Sequence, residues 1–198
     1  MQALRIIRDE HQALAGILHA VRYMIREIDV GRLAPDFKLL RAMVHYLDAY
    51  PEQRHHPKED HLLFARLKQR TAEGADAIAR LEAEHASGEA RIRALDAAAR
   101  DYEADPSGGF AAFASAFETF ADFYREHMLL EEREVLPLCR QYFSAEDWAE
   151  LDAAFLANQD PMTGLAFPGS HEDFQRLFSR LVAAAPPPIG LGGGPYQD

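Results

Sequence analysis

The chain has 198 residues, 48% of them hydrophobic, and a formal net charge of -11; this length fits one domain with a short appendage. The acidic charge argues against nucleic acid and anionic membranes as partners, since both would repel it, and no apolar run approaches the roughly 20 residues of a spanning helix. The N-terminus lacks the layout of a signal peptide, and Cys139, the single cysteine, excludes an internal disulfide, so a cytoplasmic protein is expected.

Apolar residues recur every three or four positions over most of the chain, which is the pattern of amphipathic helices. In chain order, the helical stretches cover residues 4–28, 37–68, 78–95 and 113–131, separated by turn-forming segments at residues 31–35, 71–74 and 105–109. The second stretch carries Pro51 and Pro57, which predict a kink or a break there. Four long helices joined by short loops predict an all-α fold, an up-down-up-down four-helix bundle.

The chain after Phe143 predicts a short C-terminal helical extension. The sequence SAEDW has the serine cap and the acidic first turn of a fifth helix, and SHEDFQRLFSRLV, after a turn, predicts a sixth helical segment. The last residues are rich in proline and glycine, and we expect them to pack on the bundle or on a second copy of the chain, as in a homodimer. The predicted divisions are residues 1–142 for the bundle, 143–185 for the extension and 186–198 for the tail.

Two histidines, His11 and His85, lie where the apolar face of a helix would otherwise carry a leucine. On the helix that follows each of them, a histidine and a glutamate stand four residues apart, a spacing that puts both on one face. These pairs are His55 with Glu59 and His127 with Glu131. The chain therefore reads as two pseudo-repeats of one unit, and two such hairpins would bring four histidines and two glutamates to one level of the bundle interior.

Buried carboxylates near histidines are costly unless a cation compensates their charge, so this cluster predicts a metal site. Imidazole and carboxylate together suit iron, glutamates from opposed helices can bridge two ions, and the absence of thiolate ligands disfavours structural zinc. Two iron ions bridged by Glu59 and Glu131 fit these requirements best, with manganese or zinc as the alternatives.

The role of His56 decides how many coordination positions stay open. Two octahedral ions offer about twelve positions, of which two bridging glutamates, a bridging oxygen and four histidines fill about ten. A fifth histidine leaves one open position, which favours reversible binding of a small diatomic ligand, whereas two open positions favour redox turnover. Adjacent residues point about 100° apart on a regular helix, so His56 needs a distortion at Pro57 to face inward. If His56 replaces His55 as the ligand, its partner four residues on is Asp60.

At these positions the chain resembles the hemerythrin-like, HHE cation-binding family of four-helix bundle proteins. The resemblance covers roughly residues 5–140 and depends on His11, the segment HHPKEDHLLF from residue 55, the Glu84–His85 pair and the segment HMLLEEREVLP from residue 127. It implies an oxo- or hydroxo-bridged di-iron centre. The metal ligands that it implies are His11, His55, Glu59, His85, His127 and Glu131, with His56 as a further candidate.

The chain departs from the oxygen-carrying hemerythrins at two places. Those proteins carry two histidines four residues apart on the third helix, whereas the positions four residues on either side of His85 are Leu81 and Glu89. Their fourth-helix acid lies five residues after its histidine, whereas here the residues four and five positions on are Glu131 and Glu132. In these respects the chain is more similar to the bacterial and regulatory branch, whose members act in iron-centre repair, nitric-oxide response and iron or oxygen sensing.

The expected function is that of a non-haem di-iron protein that binds or senses O2, NO or iron; whether it is an enzyme stays open, with a metabolic enzyme the less favoured interpretation. One alternative is a ferritin-like di-iron oxidase or peroxidase, since Glu52-x-x-His55 and Glu82-x-x-His85 match the Glu-x-x-His spacing of those proteins. The other is a metal-free interaction module. In the leading hypothesis, Tyr124 is a candidate hydrogen-bond donor to the bound ligand.

Overall fold

The computed structural model describes residues 1–164 and 176–180, and within these ranges the chain is largely helical and contains no β-strand. Helix α1 spans Gln2–Asp29, and α2 covers residues 37–70. Helix α3 consists of Ala75–Ala86 and Gly88–Ala104, interrupted at Ser87; α4 covers residues 110–142, and α5 spans Ala145–Leu156. The loops between consecutive helices from α1 to α4 fall at the three predicted segments, so the prediction of an all-α bundle is confirmed.

Local signals in the sequence explain where several helices begin. Asp36 precedes α2 and accepts a hydrogen bond from the backbone N–H of Leu39 at 3.0 Å, which is a side-chain N-cap. Gly74 precedes α3 with a φ of 76°, a left-handed conformation that favours glycine. Ser144 precedes α5 and forms a capping box with Asp147, as the serine and acids of SAEDW predict. These signals fix the short loops that join the helices.

The bundle interior consists of two apolar clusters. One takes residues from the C-terminal parts of α1 and α3 and the N-terminal parts of α2 and α4. The other takes residues from the opposite ends of these helices and from α5. This pairing of opposite ends is the one expected of antiparallel neighbours. The seven candidate metal ligands lie at the boundary between the two clusters along each helix, so they form a polar layer at one level of the bundle.

Helices α2 and α4 contain wide π-helical turns next to this polar layer. In α2 the π turns are Asp48–His55 and Glu59–Phe64, separated by the α-helical turn His56–Lys58; in α4 the π turn is Glu131–Val135. Pro57 cannot donate the backbone hydrogen bond that would close a regular α-helical turn. The irregularity predicted at Pro51 and Pro57 is therefore a change of helical pitch within a continuous helix, and not a break.

Helix α5 packs against α1 and shares an apolar cluster with it through Trp148, Leu151 and Phe155. The Asp152 carboxylate accepts a hydrogen bond from the backbone N–H of Ala3 at 2.6 Å, at the N-terminus of α1, where free N–H groups favour an acid. The predicted extension thus begins with a helix that belongs to the packed interior. The division of the chain at residue 142 stays a prediction.

Residues 176–180 are helical, and Leu177 is buried in the cluster that contains the C-terminal part of α1. These residues agree with part of the predicted sixth segment. The rest of that segment, the tail at residues 186–198 and the homodimer inferred from the tail lie outside the described residues. Among the described helices, none combines the length and the apolarity that crossing a membrane requires.

Candidate metal centre

Glu59 and Glu131 are the two fully buried glutamates of the polar layer, each 0% exposed. Each opens a π-helical turn, Glu59 in α2 and Glu131 in α4. Such turns are rare and frequently occur at functional sites, and carboxylates removed from solvent are costly without a compensating partner. The two pseudo-repeats predicted from the sequence thus place their glutamates in equivalent backbone settings.

The seven candidate ligands form two groups that share Glu59. In each group, one possible ligand atom per residue lies within 4.8 Å of the others, so that the side chains can converge on one ion. The first group consists of His56, Glu59, His85 and His127, and the second of His11, His55, Glu59 and Glu131. Every residue predicted for the site is therefore brought into one group or the other, and Glu59 into both.

Both His55 and His56 face the interior, each with 6% of its surface exposed. His55 ends the first π turn with a φ of -78° and a ψ of -65°, which departs from regular α-helix, and this distortion lets two adjacent side chains turn inward. The His56 ring stacks on that of His85 with 4.1 Å between centroids. In the group of His56, Glu59, His85 and His127, called the three-histidine group below, one imidazole thus comes from α2. The positions four residues before and after His85 on α3, which are Leu81 and Glu89, do not supply one.

Four further carboxylates contact the Nδ1 atoms of four histidines in a closed cycle around the bundle. Each helix carries the acid that contacts the histidine of the next helix, and the acid of α4 contacts the histidine of α1. The contacts are Glu10 to His55 at 2.6 Å, Asp60 to His85 at 2.7 Å, Glu84 to His127 at 2.9 Å and Glu132 to His11 at 2.9 Å. A carboxylate on Nδ1 fixes the tautomer and orientation of the ring, and it leaves Nε2 for a metal.

These four outer acids are sequence neighbours of candidate ligands: Glu10 precedes His11, Asp60 follows Glu59, Glu84 precedes His85 and Glu132 follows Glu131. The sequence pattern predicts Asp60 only as an alternative ligand and gives Glu132 no role of its own, and the structure places both on histidine Nδ1 atoms. The signal for the outer acids in the sequence was the acidic residue that stands directly beside each of these four candidate ligands. Neighbouring residues on a helix point about 100° apart, so one can face the centre while the other reaches the adjacent helix.

Burial and neighbouring charges set the ionisation of the central residues. Burial would lower the pKa of His11, but the carboxylates of Glu131 and Glu132 outweigh it and raise this pKa to about 9. Burial and the neighbouring His85 hold the pKa of His56 well below its ordinary value, so that its imidazole is neutral, the form that binds metal. Burial and the charge of Glu59 raise the pKa of Glu131 to about 7. A bound cation would favour the ionised form of Glu131.

Several central atoms have no hydrogen-bond partner within the described part of the chain. They are both carboxylate oxygens of Glu59 and of Glu131, Nε2 of His55 and Nδ1 of His56. His55 Nε2 lies 2.7 Å from a Glu59 oxygen, but not in hydrogen-bond geometry. Buried polar groups of native proteins normally have partners, and nitrogen and carboxylate donors of this kind suit iron, manganese or zinc. The residues present therefore fit bound metal cations.

A small cavity of about 20 Å³ lies beside the centre. Its lining includes His11, His55, His56, His127, Tyr46 and Tyr124. This volume accommodates about one water-sized molecule. The Tyr124 hydroxyl is buried and, among the described residues, has no hydrogen-bond partner. The cavity thus combines several candidate metal ligands with one unengaged hydroxyl.

A larger cleft of about 990 Å³ between α2 and α3 reaches the three-histidine group from the surface. Glu52 lines it, with a carboxylate oxygen 3.4 Å from Nδ1 of His56, and burial raises the pKa of Glu52 to about 7. Gly88 makes room for this side chain, because a Cβ at position 88 would overlap the Glu52 carboxylate. Glu82, in contrast, is partly exposed and accepts a hydrogen bond from Lys68 at 2.5 Å, away from the centre.

Comparison with known protein families agrees with this arrangement. The sequence model of the family described as Hemerythrin HHE cation binding domain matches residues 2–139, which contain the seven candidate ligands and the four outer acids. No curated protein sequence and no solved structure gives a significant match to the chain. The matched region ends before α5, so α5 and the residues after it lie outside it.

Proposed function

The chain belongs to the hemerythrin HHE cation-binding family, and from this premise we propose that it is a non-haem di-iron protein that binds or senses O2, NO or iron. The observation that carries the proposal is the position of Glu59, which is shared by two groups of buried candidate ligands. A shared carboxylate suits two cations at the roughly 3.5–4 Å separation of two-metal sites. Five histidines favour iron over magnesium or calcium, which prefer oxygen ligands.

In this proposal His56 is a ligand and one coordination position stays open. If Glu131, like Glu59, were shared by both ions, the ion held by His56, His85 and His127 would have the fuller ligand set, and a small ligand would bind at the ion held by His11 and His55. The small cavity is lined by both of these histidines and also by His56 and His127, so it adjoins both halves of the centre. One open position beside a cavity for about one small molecule supports a diatomic ligand.

A ferrous pair would supply the open position and the electrons that O2 or NO takes up when it binds. The residues of the chain orient and protect such a pair. The outer acids hold four imidazole rings through Nδ1. The apolar clusters cover the polar layer on both sides along the bundle axis, while the cleft between α2 and α3 gives access to His85 from the surface. Tyr124 lines the small cavity, and its hydroxyl would donate a hydrogen bond to a molecule bound there.

The geometry gives less support to the two alternatives. A ferritin-like oxidase of the predicted kind needs Glu52 and Glu82 at the centre, but Glu82 pairs with Lys68 on the outer side of α3, and Glu52 comes only within 3.4 Å of His56. A metal-free interaction module would leave the buried carboxylate oxygens of Glu59 and Glu131 without hydrogen-bond partners among the described residues, which bound cations would otherwise supply.

Elemental analysis after anaerobic loading with ferrous iron tests the proposal on protein without a histidine tag. We expect about two irons per chain. Glu59→Gln should reduce this content sharply, because both candidate groups use Glu59. Glu82→Gln is the matched control, since it changes a glutamate that lies on the outer side of α3, and it should retain both irons. Circular dichroism confirms that both variants are folded.

The outcomes separate the parts of the proposal. A chain that binds one equivalent of another metal would keep the metal site but lose the di-iron chemistry. No bound metal after ferrous loading would overturn the proposal. If two irons bind, anaerobic titration with NO and exposure to O2 follow, monitored by absorption spectroscopy. A spectrum unchanged by either gas would reject a diatomic ligand and leave iron itself as the ligand.

A further inference from the structure

Asn158 reaches the centre from outside the region that the family model matches. It follows α5, in the segment of residues 157–160, and is 2% exposed. Its side-chain amide donates to the Glu10 carboxylate and lies 2.9 Å from each oxygen. Glu10 in turn contacts Nδ1 of His55 at 2.6 Å. One carboxylate therefore links a residue of the C-terminal segment to a candidate metal ligand.

Asn158 is itself held in place by α2. Arg54 donates to its backbone carbonyl at 2.9 Å, and the ammonium of Lys58 donates to its side-chain oxygen. An ammonium can only donate, so the amide oxygen faces Lys58 and the NH2 group faces Glu10. The next residue, Gln159, has a φ of 49°, a left-handed conformation uncommon outside glycine. The chain thus turns directly after Asn158, and its amide has a defined orientation.

Glu10 differs from the other three acids of the cycle in its burial. Its side chain is 7% exposed, whereas those of Glu84, Asp60 and Glu132 are 14%, 29% and 37% exposed. Water can reach the free oxygens of the more exposed acids. The Glu10 carboxylate is removed from solvent, and Asn158 provides donors in place of water. Among the described residues, the recorded hydrogen-bond contacts of the Glu10 carboxylate are with His55 and Asn158, so the loss of Asn158 would leave its orientation to the contact with His55.

We propose that Asn158 is a positioning residue for the metal centre. Through Glu10 it fixes the ring of His55, and it thereby secures the cation held by the group of His11, His55, Glu59 and Glu131. The three-histidine group does not depend on it. The segment 157–160, which follows α5, thereby restrains one half of the centre. This inference rests on the proposed function, because it requires two bound cations.

Asn158→Leu tests the inference, because it removes the donor at nearly constant size. In iron-loaded, full-length protein mixed with excess chelator, we expect one of the two irons to leave about 10–100-fold faster, the range typical of contacts behind a metal ligand. The other iron should leave at its original rate. Asn158→Asp, which keeps an oxygen for Lys58 but repels Glu10, should show the same selective loss and serves if the leucine variant does not fold.

Asp152→Ala is the matched control within α5. It loosens the anchor of this helix on the N-terminus of α1 without changing the contact to Glu10, and it should leave both extraction rates unchanged. The double variant Glu10→Gln with Asn158→Leu should lose iron no faster than Glu10→Gln alone, because both changes break one link.

Several results would overturn the inference. One is an equal acceleration of the extraction of both irons in Asn158→Leu. The others are the same acceleration in Asp152→Ala, and a double variant whose acceleration equals the product of those in Glu10→Gln and Asn158→Leu. Unchanged extraction in Asn158→Leu, with two irons bound to the wild type, would reject the inference and leave the proposed function intact. A wild-type chain that binds no iron would reject both.

Discussion

Tyr124 carries a hydroxyl that is buried and, in the part of the chain that the structure describes, unpartnered. Its ring lies nearly parallel to that of His56, with centroids 5.9 Å apart and 15° between the planes, and its side chain borders the small cavity. An unsatisfied buried hydroxyl costs about 1–3 kcal/mol. Residues that reduce stability in this way are expected at functional sites, and the proposed diatomic ligand gives this hydroxyl a partner.

Tyr124→Phe is expected to have opposite effects on the free protein and on its ligand complex. Loss of the unsatisfied hydroxyl should raise the free energy of unfolding of the metal-free protein by about 1 kcal/mol. Loss of the donor should raise the dissociation constant for NO or O2 roughly five- to tenfold, the value of one hydrogen bond, with iron content unchanged. Chemical denaturation and spectroscopic titration measure the two effects.

Tyr46→Phe is the control for the stability measurement. Tyr46 donates to Asp160 at 2.8 Å, and burial raises the pKa of this acid to about 6. Removing the hydroxyl leaves a buried carboxyl group short of a donor, so this variant should lower the free energy of unfolding. If the two phenylalanine variants shift stability in the same direction, the interpretation of the Tyr124 hydroxyl is contradicted.

At the scale of single residues, helical spacing is enough to predict that His55 and Glu59 share a face, because residues four apart always do. The inward position of His56 could not be predicted in this way, since it depends on a π turn that the sequence does not specify. The role of the outer acids could not be predicted from helical spacing either, because a residue such as Glu84 acts through its contact with the neighbouring helix. Such a contact exists only in the assembled bundle.

Among the elements, α2 is the least regular, and its irregularity is concentrated at the centre. Two π turns flank the α-helical turn His56–Lys58, and Pro57 lies within that turn. A π turn accommodates one extra residue per turn of helix, so the residues after it are rotated relative to those before it. This rotation allows both adjacent histidines of α2 to face the polar layer.

Pro57→Ala is expected to weaken the centre through the backbone of α2. Alanine restores an N–H that can bond to the carbonyl of Gln53 and close a regular α-helical turn. In a regular turn, adjacent side chains point about 100° apart, so His55 and His56 could no longer both face inward. We expect iron affinity to fall about tenfold or more, as measured by competition with a chelator.

Pro35→Ala is the control for this prediction, because Pro35 lies in the loop before α2 and not in a helix. It should leave iron affinity unchanged. Affinity that is equally reduced in both variants would indicate a general loss of stability. Unchanged affinity in Pro57→Ala would show that the π turns are maintained by tertiary packing without the proline.

At the scale of elements, apolar periodicity predicts α1 to α4 and their loops because core-facing residues repeat with the helix. The two prolines of α2 predict an irregularity but not its form. A proline lacks the backbone N–H, and this is compatible with a kink, a break or a π turn. Packing against the other helices determines which of these forms.

At the scale of the whole molecule, Asp147 joins α5 to α2. Its carboxylate accepts hydrogen bonds from Arg66 at 2.7 Å and from Arg70 at 2.9 Å, and it also accepts the backbone N–H of Ser144 at 2.9 Å. The hydrogen bonds from Arg70 hold the pKa of Asp147 well below its ordinary value. One acid therefore caps α5 and fastens it to the bundle.

This lowered pKa predicts an acid-sensitive contribution to stability. A group whose pKa is lower in the folded state binds its proton more readily when unfolded, so its stabilisation is full above the unfolded pKa near 4 and declines as the pH falls below it. We expect Asp147→Asn to lower the free energy of unfolding at pH 7 by about 1 kcal/mol, a reduced value because Arg70 is partly exposed. The difference from the wild type should shrink as the pH falls below about 4.

Thermal melts of the metal-free protein between pH 3 and 7 measure this difference. Glu150→Gln is the control, because Glu150 is an exposed partner of Arg66 at 2.6 Å, and exposed ion pairs contribute little. A difference between wild type and Asp147→Asn that does not change with pH would contradict the assignment of the ionised form to Asp147.

The position of α5 shows where prediction from the sequence ends at this scale. The serine cap and acidic first turn predict that the helix exists. They do not predict that Phe155 packs in the apolar cluster that contains the N-terminal part of α1. Nor do they predict that Asn158 contacts Glu10, a residue 148 positions away. No local pattern encodes a contact of this separation, since it depends on how the completed bundle presents α1.

The cycle of carboxylate–histidine contacts runs once around the bundle in the order of the helices along the chain. Removing one helix breaks two contacts, because its acid no longer holds the next histidine and its histidine loses the preceding acid. A folding intermediate with any three of these helices docked would therefore hold only two of the four rings. Tight capture of metal then has to await the docking of the last helix. We therefore expect metal to load only when folding is complete, so that unfinished chains would lack a high-affinity site.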